Sequence, residues 1–309
     1  MPARNAQATL GRTLEALADQ ELDGDYEVIV VDDGSTDATA ALARAAGGPV
    51  RVIERPAAGP AAARNAGVRA ARAPVLAFCD ADVYPTRAWL AAGLSALERA
   101  DIVQGKVAPD PGAELGPFDR TIWISFDVGL YETANLFVSR EVFERAGGFE
   151  EWIRPRWGKA LAEDVWFGYR ARRAGASSAF CEAALAYHAV FPRSWPSYVL
   201  ERCRLAYFPA MAAKMPELRE TFLHQRLFLN GRTLRFDVAV LALGVAARRR
   251  APQWLAATAP YLRCLRSHAR RGGVARNATP PVMLADVLAD LVGLGALIWG
   301  SLRYRSPVL

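Results

Sequence analysis

A chain of 309 residues with 52% hydrophobic and 23% charged residues can bury a sizeable core, which excludes a disordered or fibrous protein. Its net charge of +6 is local: no acid lies between Val238 and Ala285, a stretch holding Arg248, Arg249, Arg250, Arg263, Arg266, Arg270, Arg271 and Arg276, and without these eight charges the rest of the chain stands at −2. Such a block fits an anionic surface such as phospholipid headgroups. No nucleic-acid-binding motif accompanies it, so nucleic acid is not an expected partner. The four cysteines form no C-x-x-C pair, which fits free thiols in a reducing compartment.

In chain order, Thr9 to Gln20 carries Leu10, Leu14 and Leu17 at helical spacing. Tyr26 to Val31 is a continuous apolar run ending in acids and predicts a buried parallel strand. An Ala-rich helix over Asp37 to Ala46 and a short strand over Val50 to Ile53 follow. Gly59-Pro60 opens the next helix, where proline fits the first turn. Pro74 to Cys79 predicts a third strand ending in acids, Trp89 to Arg99 a helix, and Ile102 to Val107 a further strand. The less regular middle predicts a strand over Tyr131 to Ser139, a short helix over Arg140 to Ala146, a helix over Glu163 to Ala174 stopped by Gly175, and a strand over Ala179 to His188. From Ser194 the pattern is helical and basic. Repeated β-α units predict an α/β fold with a mostly parallel sheet flanked by helices, and ligands of such sheets bind beyond the carboxyl ends of the strands.

The acids collect at those ends. Asp80-Ala81-Asp82 follows an apolar strand, so its carboxylates suit a hard cation that bridges phosphates, or simply a solvated turn. Asp32-Asp33-Gly34-Ser35-Thr36-Asp37 caps the next helix or accepts from a base or ribose. Arg64 lies in the first turns of a helix, where it either reaches a diphosphate or is a plain exposed arginine. Glu163-Asp164 suits a first helical turn, or supplies a general base. His188 ends a strand as a structural histidine or a nitrogen ligand.

Val30-Val31-Asp32-Asp33-Gly34-Ser35, Ala63-Arg64-Asn65-Ala66-Gly67, Asp80-Ala81-Asp82, Gly147-Gly148-Phe149, Glu163-Asp164 and Tyr187-His188 together resemble a family 2 glycosyltransferase of the GT-A fold, over roughly Pro2 to Pro192. The resemblance implies a catalytic domain over 1–193, with a nucleotide-binding half (1–106) and an acceptor half (107–193), followed by a helical, membrane-associated region (194–309). It implies that Asp33 contacts the nucleobase with Asp32, Ala3 and Arg4 nearby, and that Arg64 sits by the diphosphate. Asp80 binds ribose or metal, Asp82 ligates Mn²⁺ or Mg²⁺, and His188 completes the metal shell. Asp164 is the catalytic base, and Asn135, Trp157 and Glu163 face the acceptor, within Thr133-Ala134-Asn135, the Arg154 to Lys159 loop and the start of the Glu163 helix. The implied reaction is a single displacement with inversion, from a nucleotide-diphosphate sugar to a hydroxyl of a glycan or lipid-linked acceptor, as in cell-envelope polysaccharide synthesis. No Q-x-x-R-W signature is present, so one sugar per encounter is expected. The resemblance also implies a buried first strand of about five apolar residues ahead of Pro2, which this chain lacks; its absence is expected to expose backbone groups and apolar surface, as if the start were placed late or the chain trimmed. A nucleotidyltransferase on a related fold, or a catalytically inactive membrane scaffold, are the alternatives.

In the C-terminal third, Arg235 to Ala247 is shorter than the ~20 residues a span needs. Val282 to Gly300 approaches that length but carries Asp286 and Asp290 four apart, each costing roughly 2.5 to 3.5 kcal/mol near a span's centre. Helices lying in the membrane interface with arginines on the headgroups are expected, placing the protein in the cytoplasm at the inner face of the membrane.

Overall fold

The computed structural model describes residues 1–150, 152, 162–271 and 279–309. Trp157 and the rest of the expected Arg154 to Lys159 loop lie outside them. The chain divides into two compact units, one formed by Met1–Ala113 and Thr121–Val190, the other by Glu114–Arg120 and Phe191–Leu309.

In the first unit the strands are β1 (Pro2–Ala3), β2 (Val28–Asp33), β3 (Val50–Arg55), β4 (Val75–Cys79), β5 (Val83–Pro85), β6 (Ile102–Pro109), β7 (Asn135–Ser139) and β8 (Ser178–His188). The helices are α1 (Leu10–Ala18), α2 (Thr39–Ala45), α3 (Pro60–Ala70), α4 (Trp89–Leu97), α5 (Arg140–Arg145) and α6 (Glu163–Arg173). Strands β1, β2 and β3 form a parallel sheet in that order. The five-stranded sheet has the order β4-β7-β6-β8-β5, in which only β6 and β8 run parallel. The α/β class with flanking helices holds, but the strand directions are more mixed than expected. Apolar content sets burial; it does not set direction, and β7 enters antiparallel between β4 and β6.

Local sequence explains the elements. β2 is Val-Ile-Val-Val-Asp-Asp and buried throughout. α1 buries Leu10, Thr13, Leu14 and Leu17, one face of a 3.6-residue period. Ala3 is buried against Asp32 in the β1–β2 register.

Among the described residues the two sheets do not pair with each other. The gap is a largely apolar cavity of about 300 Å³, lined in part by Met1, Val28, Ile29, Phe78 and Phe137. The Met1 amine donates to Ile29 O at 3.0 Å, and burial lowers its pKa to about 6.

The second unit is helical: α7 (Trp195–Glu201), a 3-10 turn (Arg202–Tyr207), α8 (Phe208–Lys214), α9 (Leu218–Thr221), α10 (Gly231–Arg249), a second 3-10 turn (Pro252–Thr258), α11 (Ala259–Arg271) and α12 (Thr279–Tyr304). The Glu114–Arg120 segment belongs here because Arg120 and Phe191 exchange backbone hydrogen bonds of 2.9 and 3.0 Å. Asn230 caps α10, accepting from the Arg232 and Thr233 amides. The expected cost of Asp286 and Asp290 does not arise as lipid-facing charge, because both point inward. Arg232 donates to both carboxylates at 2.9 Å, Tyr198 and Tyr261 donate to them at 2.8 and 2.7 Å, and His268 Nδ1 lies 2.8 Å from Asp286 Oδ2.

Candidate active site

A carboxylate and a histidine meet through strand register. Val83 pairs with His188 at the start of β5, and the Ala189 amide donates to Asp82 O at 2.9 Å. Asp82 Oδ1 therefore stands 3.6 Å from His188 Nε2. His188 is buried, and its Nδ1 lies 2.6 Å from Ala189 O. A carbonyl only accepts, so Nδ1 carries a proton, and Nε2 faces the Asp82 carboxylate. Their separation is compatible with a shared cation: ligands at about 2.1 Å from one ion lie no more than about 4.2 Å apart. Among the described residues no cluster of three or more His, Cys, Asp or Glu side chains could hold a metal.

Arg64 is buried, not exposed. Its guanidinium donates to Asp80 at 2.7 Å and to Glu163 at 2.9 Å, and so ties the Asp80-Ala81-Asp82 turn to the start of α6. Asp80, a quarter exposed, is turned to Arg64. Glu163 is buried beneath it.

Asp164 lies next in α6 and accepts from the Val165 amide at 2.8 Å. Burial, then the adjacent Glu163 carboxylate, push its pKa up to about 8. Glu132, which sequence reasoning did not single out, lies within electrostatic reach, and burial raises it to about 7. Both carboxylates follow residues with left-handed backbone, Tyr131 (φ 52°) and Ala162 (φ 69°). Strain in non-glycine residues gathers at functional sites. The Tyr131 ring lies where a Cβ on Gly168 of α6 would be, so that glycine permits the close approach of the two segments. The signal in the sequence was the position of Glu132 just ahead of Thr133-Ala134-Asn135.

Asp33 is buried, with its oxygens accepting from Ala58 and Gly59 amides at 3.0 and 2.7 Å. Its carboxylate holds the loop that opens α3 in place. Asp32 Oδ2 accepts from Ser35 at 3.3 Å, but the buried Oδ1 has no partner among the described residues. Arg4, next to Ala3 in sequence, is exposed. Asn135 corrects an expectation. It is wholly buried; its amide donates to Lys106 O and Ala184 O at 2.9 and 2.8 Å, and its oxygen accepts from Trp89 at 2.8 Å. Those bonds bridge the β6–β8 register shift at Gly105/Lys106, so Asn135 braces the sheet and cannot face an acceptor.

Asp80, Asp82 and His188 thus lie at strand ends of an α/β unit. The profile described as Glycosyl transferase family 2 matches residues 1–149. Over that stretch the chain is similar to the family 2 glycosyltransferases, and its fold is GT-A-like. Glycosyltransferase AglE of Haloferax volcanii is 30% identical over 207 residues, 62% of this chain and 66% of that protein. Succinoglycan biosynthesis protein ExoU of Rhizobium meliloti is 42% identical over 87 residues, 26% of this chain and 25% of its own length. The chain thus spans less than two thirds of these relatives. Among solved structures, mannosyltransferase PcManGT from Pyrobaculum calidifontis, with GDP-Man and Mn²⁺, superposes with a TM-score of 0.56 at 19% identity, over 98% of this chain and 85% of that one. S. aureus TarS 1-349 with UDP-GlcNAc gives 0.53 at 18% identity, over 99% and 90%. These two likenesses are of fold.

Proposed function

We propose that the protein transfers one sugar from a nucleotide-diphosphate donor to a hydroxyl of a glycan or lipid-linked acceptor, with inversion. The observation that carries this reading is the meeting of Asp82 and His188 at 3.6 Å, from distant parts of the chain. Asp164 accepts the proton of the acceptor hydroxyl as that oxygen attacks the anomeric carbon. The bond to the diphosphate oxygen breaks with its electron pair on the leaving nucleoside diphosphate, and back-side attack inverts the centre. A pKa near 8 gives Asp164 more basicity than an ordinary carboxylate while leaving it partly ionised near neutrality. Asp82 and His188 would hold Mn²⁺ or Mg²⁺, which when bound would offset negative charge on the diphosphate. Arg64 keeps Asp80 and Glu163 in register with that pair. Asp32 Oδ1, buried and unsatisfied, suits an N–H of the nucleobase. The working place is the cytoplasmic face of a membrane, where a lipid-linked acceptor is presented.

The test is nucleoside diphosphate release from a panel of nucleotide sugars with Mn²⁺, with product configuration read by NMR. The expected result is release from one donor, inverted product, and no turnover by Asp164→Asn, which still binds donor. Pyrophosphate release from a nucleoside triphosphate would favour nucleotidyl transfer instead. Retained activity in Asp164→Asn would remove the assigned base.

A further inference from the structure

Helix α12 presents an outward face that water does not explain. Leu284, Leu288, Leu291, Ile298 and Leu302 follow helical spacing, and all are exposed, Leu284 at 62% and Leu302 at 76%. Gly295 fills the remaining step of that stripe, and Trp299 is exposed beside it. From Pro281 to Leu302, every exposed residue of this helix is apolar. The stripe runs about 27 Å at 1.5 Å per residue. The opposite face is buried within the helical unit through Val282, Asp286, Ala289, Gly293 and Leu297. That face holds the Arg232–Asp286–Asp290 network, so only one side of α12 is open.

Charge lies beside it. α11 packs against α10 and α12 through Tyr261 and Leu265. Its exposed positions carry Arg263, Arg266 and Arg270, three guanidiniums on one ridge around a shallow surface groove. The turn just before α11 exposes Trp254 and Leu255. Indole, leucine and arginine interleaved without an acid form the composition of a helix seated at headgroup depth.

We propose that the α12 stripe and the α11 arginine ridge seat this unit on an anionic phospholipid bilayer, with α12 lying along the surface and not across it. Apolar side chains enter the upper acyl layer, and the arginines meet lipid phosphates. Orientation along the surface follows from the buried half of α12, whose paired acids would otherwise stand in hydrocarbon. This deepens the reading that the acceptor is presented at a membrane.

The test is flotation of the full chain with phosphatidylcholine vesicles, with and without phosphatidylglycerol, while donor hydrolysis is followed in the same protein without vesicles. Wild type is expected to float with the anionic vesicles and to be released by salt. Arg263→Gln/Arg266→Gln/Arg270→Gln is expected to lose roughly a hundredfold in partition, at about 1 kcal/mol per arginine. Leu288→Glu/Leu291→Glu is expected to stay in solution with unchanged donor hydrolysis. Leu284→Glu/Leu302→Glu, at the most exposed positions, gives the same reading should the first pair unfold. Flotation of both glutamate variants like wild type overturns the proposal, as does a wild type that ignores vesicles and elutes as a dimer that these variants dissociate. Loss of donor hydrolysis with intact flotation would instead count against the transfer chemistry alone.

Discussion

Asp164 is where charge and chemistry conflict most directly. Its carboxyl sits near 8 in the folded protein against an ordinary 3.8. Between those values the folded state holds a proton that the unfolded chain has released, so the group's contribution to stability falls as pH rises from about 4 and is fully lost above about 8. Two outcomes follow. Log kcat/KM is expected to climb with pH to an inflection near 8 and then level, and an acid limb near 4 would contradict the assignment. Asp164→Asn is expected to unfold later than wild type by about 1–3 kcal/mol at pH 8 and to show little difference at pH 4, read by urea titration at the two pH values. At this scale the sequence disclosed residue types, not their partners. Asp82 and His188 stood out because carboxylate and imidazole at strand ends are a recognisable metal pair. Arg64 read as a diphosphate contact or an exposed arginine, and its burial between Asp80 and Glu163 was not legible because they come from other elements. Asn135 read as acceptor-facing because nothing in its neighbours announces the register shift that it bridges. Glu132 escaped notice because it falls at the start of the expected Tyr131 to Ser139 strand, where a single acid looks like a solvated end.

At the scale of elements, hydrophobic runs and periods located most strands and helices of the first unit to within a few residues. β1 and β5 were missed, being two and three residues long and too short to show a period. β5 matters most, since the Val83↔His188 register brings the proposed metal pair together. Strand direction was not legible, because burial on both faces looks alike in parallel and antiparallel strands. In the helical unit, α10 and α12 are joined by charge. Arg232 lies between Asp286 and Asp290, and Asp286 is wholly buried. Removing one partner of a buried pair leaves an uncompensated charge, so Arg232→Met is expected to lose about 3–5 kcal/mol in urea unfolding of the intact chain. A loss under about 1 kcal/mol would mean the network is solvated and contributes little. The two acids were legible as a conflict with a membrane span, but their partner, fifty-odd residues earlier on α10, was not.

Over the whole molecule, the α/β unit gathers Asp80, Asp82, Asp164 and His188 from three chain segments, while the helical unit carries the basic charge and an apolar stripe of its own. The fold was legible because acids recur where buried strands end, which is where such sheets bind ligands. The site was legible only as candidates until register joined them. The claim on which the rest depends is that Asp82 and His188 share a divalent cation with the donor diphosphate. Calorimetric titration of the turned-over nucleotide sugar, with and without Mn²⁺, into wild type, Asp82→Ala and His188→Ala tests it most directly. Mn²⁺ is expected to tighten donor binding to wild type, and each variant to lose about tenfold or more of that gain while keeping its metal-free affinity. Variant and wild-type titrations that coincide in Mn²⁺ would contradict the account.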